Sequence, residues 1–147
     1  DFTLASGGGY DDHTIKLWDI DTGTLKNTLT GHSASVRSIA FTSDGTQIVS
    51  GSEDKTIKLW ESVSGKVIYS IQNPGWVQAV ALHPDDRIFA AGSRDSTIRL
   101  YHVENGEEFA TLKWHSGPIT GLAFSPDGTR LVSSSWDKTV KIWQAIL

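Results

Sequence analysis

Short apolar runs separated by polar turns recur along the whole chain. In one of them Ile57 and Leu59 are apolar and Lys58 between them is polar, which is the alternation of a half-buried β-strand. SDG (43–45) is typical of a tight turn, because Asp and Gly adopt the backbone angles that turns need. Three further runs have the length of strands: VRSIAF (36–41), QIVSGS (47–52) and KVIYSI (66–71). No segment has a long helical periodicity, so the pattern predicts β-strands throughout.

A nine-residue segment occurs four times in closely related form. It reads DKTIKLWES from Asp54, and its variants begin at Asp12, Asp95 and Asp137, with spacings of 42, 41 and 42 residues. The aromatic residues of the four copies keep the same spacing: Trp18, Trp60, Tyr101 and Trp143. Four short strands in a period of this size correspond to one blade of a β-propeller. The predicted fold is therefore all-β, built from four-stranded antiparallel blades.

The chain resembles the WD40-repeat family over essentially its whole length. The resemblance is carried by GH (31–32), FTSDGTQIVSGSEDKTIKLW (41–60), FSPDGTRLVSSSWDKTVKIW (124–143) and the Trp-Asp pair at 18–19. It implies a partial propeller of roughly 3.5 blades and 14 strands. The expected blades are blade one (1–30, without its first strand), blade two (31–72), blade three (73–113) and blade four (114–147, without its fourth strand).

The resemblance also implies a structural hydrogen-bond tetrad of Asp, His, Ser and Trp in each regular blade. An Asp can accept from a His, the His can bond a Ser, and the Ser can accept from the indole N–H. The matching positions are His32, Ser50, Asp54 and Trp60 in blade two, His115, Ser133, Asp137 and Trp143 in blade four, and Ser6, Asp12 and Trp18 in blade one.

Blade three departs from this pattern. Asn73 stands at the His position, Ala91 at the Ser position and Tyr101 at the Trp position, so that Asp95 alone remains. We expect this blade to be held by packing alone and to be the softest of the four.

Composition excludes several classes of function. The 147 residues carry a net charge of −4 and contain no Cys, which rules out disulfides and thiolate metal sites. No broad basic field favours nucleic acid, and no apolar run is long enough for a membrane span, so neither partner is expected. We expect no metal, no cofactor and a cytoplasmic location. Met is also absent, and we expect the arc of blades to be completed by a parent chain or by a second copy.

No residue pattern favours catalysis. Asp, His and Ser also form catalytic triads, but here they recur once per period, as a structural device does. His13, His83 and His102 fit no metal-ligand spacing and are expected to be lone exposed side chains. The Gly-rich segment SGGGYDD (6–12) precedes no helix and is expected to be a lengthened turn rather than a phosphate site.

A partner is expected to bind on one rim of the arc. We call this the tetrad rim; it carries the turns between strands two and three and the loops before strand one. Side chains there vary while the scaffold stays constant, and Trp and Arg are frequent in binding hot spots. The candidate partner-binding residues are Tyr10, Asp11, Glu53, Trp76, Arg94 and Trp136. Alternatively, Trp76 fills the space of the missing His and Trp136 packs on a neighbouring turn. Trp114, at the Gly position of the GH pair, is expected to be structural.

These observations favour a non-enzymatic scaffold for a protein or peptide partner. The alternative is a sensor or regulatory arm of a larger signalling protein, such as a kinase or an NTPase. A propeller enzyme is the least favoured interpretation, because no acid–base or metal cluster stands out.

Overall fold

The structure is a computed structural model that describes residues 2–144. Fourteen strands and no helix occur in this part of the chain. Their bounds are β1 Thr3–Gly7, β2 Ile15–Asp19, β3 Leu25–Leu29, β4 Val36–Phe41, β5 Gln47–Ser52, β6 Thr56–Glu61, β7 Val67–Gln72, β8 Val77–Leu82, β9 Ile88–Ser93, β10 Ile98–His102, β11 Glu108–Leu112, β12 Ile119–Phe124, β13 Arg130–Ser135 and β14 Val140–Gln144. The prediction of an all-β chain is confirmed.

The strands form four antiparallel sheets in chain order. The first sheet is β1-β2-β3, the two central sheets are β4-β5-β6-β7 and β8-β9-β10-β11, and the last is β12-β13-β14. Within residues 2–144 this gives the predicted 14 strands of a partial β-propeller. The first strands of blades two, three and four lie side by side, so β4, β8 and β12 form the inner edge of the arc.

The third strand of each central blade supplies side chains to two cores. In β6, Ile57 and Leu59 pack against blade three, whereas Trp60 packs with Ile48 against blade one. Successive residues of a strand point to opposite faces, so Trp60 takes the face opposite to that of Ile57 and Leu59. The pairing with the fourth strand shifts by one residue at Leu59/Trp60, and the same shift occurs at Leu17/Trp18 and at Leu100/Tyr101. The repeated sequence therefore fixes how each blade joins its neighbours.

A glycine on the second strand brings adjacent blades into close contact. A Cβ at Gly51 would lie 2.4 Å from Val77 Cγ1, and one at Gly92 would lie 2.4 Å from Ile119 Cγ2. Neither distance leaves room for a side chain. The two glycines, 41 residues apart in sequence, set the spacing of blades two to three and three to four.

The two end sheets each leave apolar side chains in solvent. Leu4 in blade one is exposed, as are Val140 and Ile142 in blade four. In blade two the matching residues Ile48, Ile57 and Leu59 are buried against a neighbouring blade. The exposed faces thus correspond to the surfaces that pack against a neighbouring blade in the middle of the arc. No blade among residues 2–144 covers them.

Candidate functional site

The tetrad residues of blade two form one continuous chain of hydrogen bonds. The indole Nε1 of Trp60 donates to Ser50 Oγ at 2.8 Å, Ser50 Oγ lies 2.7 Å from His32 Nε2, and His32 Nδ1 lies 2.7 Å from Asp54 Oδ2. Because Ser50 Oγ accepts from the indole, its own O–H points to His32 Nε2. His32 is then the neutral Nδ1–H tautomer, which donates to the carboxylate.

Burial and hydrogen bonding set the charges in this chain. Burial lowers the pKa of His32 below its usual 6.5, which favours the neutral ring. For Asp54, burial alone would raise the pKa, but hydrogen bonds from Thr56, His32 and the Ser33 amide outweigh it and the pKa is lowered. The network therefore consists of a neutral His and an ionised Asp at neutral pH.

Blade four repeats the arrangement closely. Trp143 Nε1 donates to Ser133 Oγ at 2.9 Å, Ser133 Oγ lies 2.8 Å from His115 Nε2, and His115 Nδ1 lies 2.7 Å from Asp137 Oδ2. Hydrogen bonds from Thr139 and His115 hold the pKa of Asp137 well below its usual range. The carboxylate therefore stays charged and keeps its turn closed.

Blade one contains part of the same network. Trp18 Nε1 donates to Ser6 Oγ at 2.9 Å. Asp12 instead bonds Lys16 and Thr14, and these contacts lower its pKa to about 2. The Asp12 carboxylate is thus paired with the ammonium of Lys16.

The expectation for blade three was wrong, because packing alone does not hold it. Arg99 Nη2 donates to Asp95 Oδ2 at 2.8 Å and Nη1 donates to Asn73 Oδ1 at 3.2 Å. Asn73 in turn donates to Ser93 Oγ at 3.0 Å. The Tyr101 ring stacks on Phe89, with 5.0 Å between the ring centres. The expectation that blade three is the least stable rested on the absence of such hydrogen bonds, and they are present.

The serines of the two complete tetrads are not placed for nucleophilic chemistry. Ser50 and Ser133 are both fully buried and each is occupied by two hydrogen bonds. A nucleophile has to reach its substrate, and these hydroxyls lie inside the blades. The repeated Asp, His and Ser residues therefore stabilise the loops of the tetrad rim.

The candidate rim residues differ in exposure. Tyr10 and Trp136 are 77% and 64% exposed, and Asp11 and Arg94 are also exposed. The prediction that Glu53 faces outward was wrong: its side chain is 6% exposed and lies 3.1 Å from Arg37 Nε. A buried carboxylate needs a charged partner, and nothing in the repeat pattern indicated that Arg37 would supply it.

Arg94 and Trp76 form a pair on the tetrad rim. The guanidinium carbon of Arg94 lies 4.4 Å from the centre of the Trp76 ring. The two residues are also joined through the backbone, since the Arg94 amide donates to the Trp76 carbonyl at 2.8 Å. The half-buried indole therefore supports the cation, so Trp76 does more than fill the place of a missing histidine.

A cavity of about 350 Å³ opens beside Trp136 at the inner edge of the arc. We call it the inner rim cavity; it is lined by Val36, Arg37, Gln78, Thr120 and Trp136. The repeat pattern did not single out Arg37, Gln78 and Thr120 as binding residues. These residues follow the first apolar residue of strand one in three successive blades. Their side chains differ although the residues around them are similar, and this variation could have identified them as candidate binding residues. Tyr10 and Asp11 do not line this cavity.

The expectation that Trp114 is structural was wrong. Its side chain is 77% exposed, and it borders a separate groove of about 720 Å³ between blades three and four. Leu100, Phe109 and Trp143 form the apolar floor of that groove. In blade two the matching residue Gly31 has no side chain, and an added Cβ there would lie 3.0 Å from Trp60.

One of the remaining histidines, His83, differs from the expectation. His83 is not a lone exposed side chain: it is 12% exposed and bonds Asp85 at 2.7 Å and the Gly128 carbonyl at 3.1 Å. It thereby links the lower turns of blades three and four. Among residues 2–144 no cluster of three or more His, Asp or Glu side chains is placed to hold a metal ion. The same residues include no helix that could cross a membrane.

Three segments of the chain match a family model described as "WD domain, G-beta repeat". The matched residues are 23–61, 65–102 and 106–144. Together they cover most of the chain and each contains the third strand of one blade.

Several characterised proteins are similar to this chain. Pre-mRNA-processing factor 17 of Saccharomyces cerevisiae is 34% identical over 147 residues, which cover 96% of this chain and 32% of that protein. Serine-threonine kinase receptor-associated protein of Homo sapiens is 34% identical over 137 residues, 93% of this chain and 39% of that protein. Guanine nucleotide-binding protein subunit beta-like protein 1 of Mus musculus is 32% identical over 140 residues, which cover 92% of this chain and 42% of that protein. The chain thus spans less than half the length of each relative.

Proposed function

The chain belongs to the WD40-repeat family, and on that premise we propose that it is a non-enzymatic scaffold that binds a protein or peptide partner on its tetrad rim. The human relative is named for its association with a serine-threonine kinase receptor, and the name supports a partner-binding role here. The blades supply rigidity, because the tetrads of blades two and four satisfy their own polar groups. Rigid blades with varied loop residues favour recognition rather than chemistry.

The exposure of Trp136 carries this proposal. Its indole is 64% exposed, although the backbone beneath it is fixed by the bond from its amide to the Pro118 carbonyl at 3.0 Å. An aromatic side chain on a rigid turn loses little conformational entropy on binding, and Trp is enriched at binding hot spots. The adjacent inner rim cavity offers a recess beside it for part of a partner.

Affinity capture with matched tryptophan variants tests the proposal. Trp136→Ala should keep the melting temperature of the wild type and weaken partner binding about 30-fold, the loss expected for a hot-spot residue. Trp114→Ala is the control, because Trp114 is at least as exposed but borders the other groove. Equal losses in both variants, or unfolding of Trp136→Ala, would contradict a binding role for Trp136.

A further inference from the structure

We infer that the segment bound at the tetrad rim is an acidic peptide whose carboxylates are recognised by Arg37 and Arg94. This inference rests on the proposed function of the rim and adds the chemical class of its partner. The whole chain has a net charge of −4, so attraction of an acidic segment requires a local arrangement of cations. The tetrad rim contains such an arrangement.

Arg37 presents a free guanidinium fork to the inner rim cavity. Its Nε atom lies 3.1 Å from Glu53 Oε1 and donates to Gln78 Oε1 at 3.4 Å. Its two terminal nitrogens make no hydrogen bond or ion pair to any residue in 2–144, and the side chain is 43% exposed. A fork held at one atom and open at the other two is suited to a carboxylate, which it can bind through two parallel bonds.

Glu53 explains why Arg37 is held in this position. The carboxylate is almost completely buried, and Arg37 is the one cation within ion-pair distance of it among the described residues. Taking a lone charge out of water is costly, so the contact with Arg37 stabilises the buried Glu53 carboxylate, whose Oε1 accepts no hydrogen bond from a residue in 2–144. The Arg37 fork is therefore already oriented before a ligand arrives.

Arg94 is a second oriented cation without a carboxylate partner. Its guanidinium lies over the Trp76 ring at 4.4 Å, and no ion pair joins it to an acidic residue in the described part of the chain. Stacking on an indole occupies the face of a guanidinium and leaves its N–H groups free at the edge. These groups can donate to an anion without giving up the stacking contact.

The two cations belong to one continuous surface. Trp76 carries Arg94, and Gln78, two residues further along the chain at the start of β8, accepts from Arg37. Trp76 and Gln78 flank Val77, so the residues that support the two guanidinium groups are separated by no more than about 7 Å along the backbone. Trp136 lines the same cavity as Arg37 and Gln78, so an aromatic side chain lies beside the cationic row. The surface therefore fits a short extended peptide with acidic side chains and an apolar neighbour.

The local charge balance favours carboxylates over a phosphate. Glu53 neutralises one of the two guanidinium charges, so the row has about one uncompensated positive charge. A carboxylate carries a single charge, which one positive charge balances, whereas a phosphate monoester carries about −1.5 to −2 at neutral pH and would keep an excess of about −0.5 to −1. The same balance disfavours a nucleic acid, whose binding needs several cations along the backbone.

A decapeptide array tests the inference with the intact chain. The array contains random decamers, matched sets in which Asp and Glu are replaced by Asn and Gln, sets with phosphoserine at the acidic positions, and a poly(U) spot. We expect the wild-type chain to select Asp- and Glu-containing decamers over their amide counterparts about tenfold, with less selectivity at high salt. Arg94→Gln should lose this selectivity.

Arg87→Gln is the matched control. Arg87 lies just before β9 and Arg94 just after it, so the two arginines stand at opposite ends of the same strand. We expect Arg87→Gln to select acidic decamers as the wild type does.

The outcomes separate this inference from the proposed function. Two results would overturn the acidic partner and leave the scaffold role intact, provided that Trp136→Ala abolishes binding. In the first, the wild-type chain shows no preference for acidic decamers. In the second, Arg94→Gln keeps the preference of the wild type. Selection of phosphopeptides or poly(U) alone, or of no decamer at all, would also overturn the acidic partner. Acidic decamers that bind Trp136→Ala as well as the wild type would contradict the placement of the proposed site.

Discussion

Arg99 donates to the Asp95 carboxylate at 2.8 Å, in the blade where no histidine is available for that carboxylate. The guanidinium is 12% exposed and also donates to Asn73, which occupies the histidine position. Burial would raise the pKa of Asp95, but the hydrogen bonds from Arg99 and Thr97 outweigh it and the pKa is lowered. Blade three thus fixes its turn with a different donor.

Replacing Arg99 by Ala should lower the free energy of unfolding by about 1–3 kcal/mol, because Asp95 and Asn73 would lose their shared donor. Arg99→Lys should lose less, since an ammonium keeps the charge but cannot form the same two directed bonds. Urea unfolding of the three proteins measures both effects. Lys58→Ala is the control: Lys58 holds the matching position in blade two, where its ammonium bonds Ser70. Equal destabilisation by Lys58→Ala and Arg99→Ala would show that the Arg99 network adds nothing.

Replacing Trp60 by Phe should destabilise the chain by about 1–3 kcal/mol, because the fully buried Ser50 would lose its indole donor. Tyr101→Phe should cost much less, since the Tyr101 hydroxyl makes no hydrogen bond to a residue in 2–144 and its ring can still stack on Phe89. Thermal unfolding of both variants compares them directly. Equal decreases in melting temperature would mean that the tetrad bond at Trp60 is not the source of the loss.

The period of the sequence was sufficient to predict the blades but not every contact within them. The spacing of Asp12, Asp54, Asp95 and Asp137 predicted all four sheets because each repeat carries the same turn and the same alternation. The bonds of Arg99 were missed although DSTIRLYHV has Arg where the other copies have Lys. A comparison position by position finds a missing His, but it does not show that two other substitutions jointly replace it.

The rim was predicted less well for a related reason. Glu53 and Arg94 occupy the same position in two blades, yet the first is buried and the second exposed. The difference arises from strand one and the loop before it, where Arg37 pairs with Glu53 and Trp76 lies under Arg94. Exposure at such a position depends on the side chain across the loop, and the repeat pattern alone contains no information on that pairing.

Acidification should destabilise blade two in a defined order. The folded-state pKa of His32 is lowered by burial, so the unfolded chain binds a proton there first, and stability should fall as the pH drops below about 6.5. The pKa of Asp54 is also lowered, and its contribution should be lost at lower pH, below about 4. Urea unfolding over the range from neutral to mildly acidic pH measures the first step. His32→Gln should reduce the slope in this range, whereas His102→Gln, which changes an exposed ring, should not. A slope that stays the same in His32→Gln would contradict the neutral buried ring.

Close contact between blades should make Gly51 intolerant of even one methyl group. A Cβ there would lie 2.4 Å from Val77 Cγ1 and 3.2 Å from Val80 Cγ1, both in the core between blades two and three. Gly51→Ala should therefore destabilise the chain by about 1–3 kcal/mol through overpacking. Gly9→Ala is the matched control, because a Cβ at Gly9 would have no atom within 4 Å. That change should be neutral or stabilising by up to about 1 kcal/mol, since Ala restricts the unfolded chain more than Gly does.

A double-mutant cycle with Val77→Ala identifies the atom responsible. Val77→Ala alone should destabilise the chain, because it removes two methyl groups from a fully buried site. In the double variant the clashing Cγ1 is absent, and the methyl group introduced by Gly51→Ala occupies part of the vacated space. The double variant should therefore be more stable than the sum of the single changes by about 1 kcal/mol or more, a coupling expected for residues in direct contact. Additive losses would place the strain of Gly51→Ala elsewhere, and Val77 would then not be the residue that limits how closely the two blades approach.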